Sequence, residues 1–137
     1  MITDIKTIAT LLATEIWADG EYDEAEKITV SEIADACEID EDELQANVDA
    51  AVADIAEMDE YEVNACLQRA ADMVDDEEIG IVFEAAMQLA ISDGELAEEE
   101  VTELLAIANA LGITEEIAIL LLADMVKTEP DLEISFK

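Results

Sequence analysis

Ala18-Asp19-Gly20-Glu21-Tyr22-Asp23-Glu24-Ala25-Glu26 recurs in altered form as Ser92-Asp93-Gly94-Glu95-Leu96-Ala97-Glu98-Glu99-Glu100. Each stretch follows an apolar run and precedes a segment with helical spacing. Each therefore reads as a helix end, a tight turn and a new helix start. Glycine supplies the left-handed conformation that closes a helix, at Gly20 and at Gly94. Asp23 with Glu26 has the spacing of a capping box. At the second turn the equivalent cap position is Ala97.

Working outward from the turns, seven segments carry apolar residues at helical spacing. Ile5, Ile8, Leu12 and Ile16 mark the first. Val30, Ile33, Ala34 and Cys37 mark the second, after Asp23. The third, after Asp40, has Leu44, Val48, Ala51, Val52 and Ile55. The fourth, after Asp59, has Val63, Cys66, Leu67, Ala70 and Met73. Val82, Ala85, Ala86, Leu89 and Ala90 form the fifth. Val101, Leu104, Leu105, Ala108 and Leu111 form the sixth, after Ala97. Ile117, Leu120, Leu121 and Met125 form the seventh, after Thr114. The seventh is apolar nearly all round from Ile117 to Ala123 and is assigned to the middle of a bundle, ahead of a subunit interface. No strand is expected, and Thr128 to Lys137 reads as a loosely held tail.

A shift of 74 residues lays Leu12–Val48 on Ala86–Leu122 without a gap, with 10 identities in 37 pairs. Beyond the turns, Ile33, Ala34, Ala36, Ile39 and Glu41 match Ile107, Ala108, Ala110, Ile113 and Glu115. The expected fold is therefore all-α: a seven-helix bundle from two internally repeated three-helix units joined by a central helix. The single domain divides into a first repeat at about 5–56, a linking helix at about 59–74, a second repeat at about 76–127 and the tail at 128–137.

Composition bounds the function. The net charge is −33, and the five basic side chains are Lys6, Lys27, Arg69, Lys127 and Lys137. No patch can neutralise phosphates, which disfavours nucleic acid and anionic lipid. Cations, a basic protein surface or self-association through the apolar helix are the partners left. Low Lys beside abundant Asp and Glu also fits adaptation to a saline environment. There is no histidine, hence neither the commonest general base nor the commonest zinc ligand. No cofactor motif is present, and paired carboxylates alone name no orienting partner or oxyanion donor. The chain reads as a non-enzyme. Cys37 and Cys66 lie on apolar stripes and read as buried free thiols. No signal peptide or spanning segment is recognisable, so a cytoplasmic protein is expected.

The acidic turns invite comparison with the EF-hand loop, in which a glycine at the sixth position precedes a bidentate glutamate at the twelfth. Gly20 with Glu26 and Gly94 with Glu100 have that spacing. The first and third positions fail: they are Glu15 and Trp17, and Leu89 and Ile91, which continue the preceding helix. The turns are not EF-hands. Much of their acidity is also explained by capping and by complementing the positive ends of helix dipoles. Capping does not explain why Asp93, Glu95 and Glu100 accompany an alanine at position 97.

An apolar helix, then Ala/Ser-Asp-Gly-Glu, then a glutamate six residues after the glycine, twice in one chain, resembles the TerB-like family of tellurite-resistance proteins. The resemblance covers roughly 5–127. It implies a duplicated seven-helix fold and a cytoplasmic bacterial protein linked to stress or toxic-oxyanion resistance, acting by binding. It also implies candidate cation ligands at Asp19, Asp23 and Glu26, and at Asp93 and Glu100, with Ca²⁺ or a similar hard divalent cation as the ligand. Ala97 replaces the middle acid of the second turn. The alternative is a metal-free interaction or scaffold module that uses its anionic surface or an apolar helix face.

Overall fold

Acidic caps divide the chain into helices. In the computed structural model, which describes residues 2–135, seven α-helices appear: α1 (Ile5–Asp19), α2 (Glu24–Ala36), α3 (Glu41–Ile55), α4 (Glu60–Asp72), α5 (Ile79–Ala90), α6 (Glu98–Leu111) and α7 (Glu115–Thr128). A 3₁₀ turn over Asp76–Glu78 leads into α5. Asp4, Asp23, Asp40, Asp59 and Thr114 each accept a backbone N–H at the start of a helix. Such caps satisfy donors that the helix leaves unpaired, at about 1 kcal/mol each. α1 and α6 both end on a glycine in the left-handed region, Gly20 at φ 87° and Gly112 at φ 85°.

α1 is the centre of the bundle. Thr7, Ile8 and Ala9, then Leu11 through Ile16, are all buried, and α3, α4, α5 and α6 pack around it. This corrects the sequence expectation, which gave the middle position to the seventh helix. In α7 only Ala118 and Leu122 are buried, and the helix leans mainly on α6. Periodicity cannot choose a buried side for a helix that is apolar all round. Burial on every side instead falls to α1, where alanines and threonines between the larger side chains let neighbouring helices come close.

The structure also contains two short strands, which the sequence does not lead one to expect. β1 (Glu95–Ala97) pairs in parallel with β2 (Glu133–Ser135), with Leu96 opposite Ile134. The Glu133 N–H donates to the Gly94 carbonyl at 2.9 Å. The segment after α7 is thus tied back to the second acidic turn instead of hanging loose; residues 136–137 lie outside the described part. Two smaller readings also change. Met73 is exposed, at the end of α4. Cys66 is only half-buried, whereas Cys37 is buried; both thiols are free. Among the described residues no helix is long and apolar enough to cross a membrane.

Candidate functional site

The C-terminal half of α1 carries a carboxylate into the core. Glu15 lies one turn after Leu11 and Leu12 and two turns after Ile8, on the buried side of α1. It is 1 % exposed, and neither carboxylate oxygen has a hydrogen-bond partner. An ionised carboxylate left in that state is very costly. Burial drives its pKa well above the usual carboxylate range, and the charges of Glu103, Glu100, Asp19 and Glu26 push it the same way. These four neighbours identify the site: a group of acids drawn from α1, α2 and α6, closed by both Asp-Gly turns.

The first turn supplies Asp19 and Glu26. Asp19 is the last residue of α1, and Gly20 turns the chain away from it. Asp23 then opens α2 with a complete capping box: its carboxylate accepts the Glu26 N–H at 3.0 Å, and its own N–H donates to Glu26 Oε1 at 3.1 Å. The box folds Glu26 inward, where it is 3 % exposed. Tyr22, between the two, donates its hydroxyl to Gln45 Oε1 on α3 at 2.7 Å and anchors the turn.

The second turn supplies Asp93 and Glu100. Asp93 accepts the Glu95 N–H at 3.0 Å. Glu100 Oε1 accepts the Ala97 N–H at 3.0 Å, the same inward fold that Glu26 makes. Ala97 has no side chain to return the bond, so this box is half made. Glu100 is 3 % exposed.

Burial is the leading cause of each raised pKa here. It lifts Glu26 to about 8 against the opposing hydrogen bond from the Asp23 N–H, with help from the charges of Asp19 and Asp23. It lifts Glu100 to about 7 against the Ala97 N–H, with help from Asp19 and Asp93. Half-buried Glu103, one turn further along α6, also rises to about 7. Asp19 is raised by burial and by the charge of Asp93 on the opposite turn, while the nearby Glu26 carboxyl acts the other way.

The two turns, 74 residues apart in sequence, therefore face one region, close enough for the charge of Asp93 to raise Asp19. Among the described residues, no three carboxylates close on one point tightly enough to hold a metal ion as they stand. Oxygen donors of this kind suit a hard cation, and both oxygens of Glu15 are left without a protein donor.

The family model for tellurite resistance protein TerB matches residues 6–123. The chain belongs to the TerB family. No curated protein and no solved structure matches it. The matched span of this TerB-family chain takes in both acidic turns and every carboxylate of the buried group. Of the residues singled out from the sequence, the structure brings Asp19, Glu26, Asp93 and Glu100 toward one region. Asp23 stands beside them, but its side chain is engaged in capping α2. Sequence reading passed over Glu15 and Glu103. Glu15 continues the helix before the first turn, and its position is the signal: a lone acid on the stripe of Ile8, Leu11 and Leu12. Glu103 has no comparable mark, since it follows a run of acids that opens α6.

Proposed function

We propose that this TerB-family chain is a binding domain, not a catalyst, and that its buried carboxylates take up a hard divalent cation such as Ca²⁺. The observation that carries the reading is Glu15, fully buried with both oxygens unpartnered. The charges of four further acids bear on it: Asp19 and Glu26 from the first turn, and Glu100 and Glu103 from the first turns of α6. In the ion's absence protons neutralise the group, chiefly on Glu15 and Glu26. An arriving cation displaces those protons and draws Asp19, Glu26 and Glu100 toward Glu15. Asp93 joins them from the second turn, and Asp23 keeps Glu26 in place as a cap. Association with tellurite or related stress resistance follows from the family. The duplication of the three-helix unit belongs to the same proposal.

Calorimetry with Ca²⁺ in excess NaCl at neutral pH tests this. Saturable heat should appear, with a size that depends on the ionisation enthalpy of the buffer, because protons leave as the ion binds. Glu15→Gln should abolish it while leaving the far-ultraviolet spectrum unchanged, and Asp19→Asn should weaken it. Heat that disappears with monovalent salt alone, or that persists in Glu15→Gln, would show the acids to be caps and counter-ion attractors only.

A further inference from the structure

α7 is more apolar than the bundle around it can use. Ile117, Leu120 and Leu121 share one side of α7 and are 51 %, 68 % and 39 % exposed; Ile119, on the other flank, is 50 % exposed. No charge falls between Ile117 and Ala123. α7 and α5 stand apart, leaving a groove of about 570 Å³ between them. Met87, Ile91, Leu121 and Met125 line its apolar side, and Glu84 and Asp124 contribute charge. Methionine adapts its shape to what it meets, and a contiguous apolar patch with a polar rim is the signature of an interaction site.

Charge decides what can sit there. A two-fold contact with a second copy would set each patch against itself. That would bring Glu84, Glu115, Glu116, Asp124 and Glu129 of two molecules together, each chain carrying −33 overall. Screening at physiological salt acts over about 8 Å, too far to relieve acids pressed into one interface, and Lys127 is the single basic residue on α7. Anionic lipid meets the same repulsion. A helix with an apolar stripe and basic flanks satisfies both the groove and its rim, in the helix-in-groove mode.

We propose that the exposed face of α7 and the α5–α7 groove dock an amphipathic helix of a partner protein, with Lys or Arg on either side of its apolar stripe. The site is separate from the buried carboxylates and does not depend on their binding an ion.

A fluorescein-labelled helical peptide of leucine and lysine, with the leucines on one face, serves as the probe in anisotropy titrations at physiological salt. Binding to the full chain should saturate. A scrambled peptide of the same composition should bind about tenfold more weakly, and the double variant Leu120→Gln/Leu121→Gln should lose about as much. Both replaced side chains are exposed, so the melting temperature should hold. Hydrogen exchange should show protection on α5 and α7, and Glu15→Gln should bind the probe as the parent does. Equal binding of the scrambled peptide, or undiminished binding by the double variant, would overturn the proposal. So would sedimentation showing a parental dimer that Leu120→Gln dissolves, since the face would then belong to a second copy.

Discussion

The first acidic turn carries a complete capping box and leans on the nearby α3, whereas the second has half a box and leans on a strand that follows much later. Around Gly20 the supports are local: Asp23 and Glu26 bond each other reciprocally, and Tyr22 reaches Gln45 on the neighbouring α3. Around Gly94 the cap is an alanine, and the local bonds from Asp93 and Glu100 are joined by a brace from β2, nearly forty residues later, through the strand pair and the bond from Glu133 to Gly94. Both arrangements deliver a buried glutamate, Glu26 or Glu100, to one place. The lesson is that the inward carboxylate is the common feature, while the scaffold that presents it differs.

The largest expected effect tests what the two turns share. Glu15, Glu26, Glu100 and Glu103 all have raised pKa values in the fold. The folded chain therefore holds protons that the unfolded chain releases near pH 4.5. That contribution to stability is complete below the ordinary carboxylate pKa and is lost as pH rises through about 7 to 8. Without divalent ions, the melting temperature should fall by roughly 10 °C between pH 6 and pH 9. Glu15→Gln should flatten that slope, and added Ca²⁺ should restore stability mainly at the alkaline end. A melting temperature that does not respond to pH over this range would mean that the acids are solvated and the two turns are independent.

A smaller effect separates the turns. Asp23→Ala removes both the cap of α2 and the brace on Glu26, and should cost about 1–2 kcal/mol in urea unfolding. Ala97→Asp supplies the missing half of the second box, but it adds a charge beside Asp93 and Glu100. Its gain should stay below about 0.5 kcal/mol at pH 8 and should grow as the pH is lowered toward 6. Equal and opposite changes from the two substitutions would show that the turns are energetically alike.

The smallest effect is local. Truncation after Pro130 removes β2 and leaves the helices whole. Amide exchange at Glu95–Ala97 should speed up by about tenfold or more, with exchange at Gly20–Asp23 unchanged and global stability lowered by less than about 1 kcal/mol. If both turns loosened together, the acidic region would be a single cooperative unit and the contrast between local and distant support would fail.

Much of this was legible in the sequence. Helix starts were marked by Asp23, Asp40, Asp59 and Thr114, because short polar side chains bond the first free N–H groups. Gly20 and Gly94 marked the turns, where both adopt positive φ. The second half of the chain was harder to read. Packing around α1 depends on partners far apart in sequence, so α7 carried a pattern that fitted a central helix and an exposed one equally well. β2 is three residues long and has no alternation to display. Glu15 was visible as an acid on an apolar stripe, but only the structure shows that no donor waits for it in the core.

The central position of α1 bears on how the chain is made. α1 precedes every element that surrounds it, and its closest neighbours include α5 and α6, which are synthesised much later. Until those helices leave the ribosome, a segment that the fold buries on almost every side has no shelter beyond α3 and α4. Contacts of such long sequence separation slow folding. The nascent chain therefore spends part of its synthesis with its most completely buried helix still uncovered, and its dense negative charge keeps neighbouring nascent chains apart during that interval.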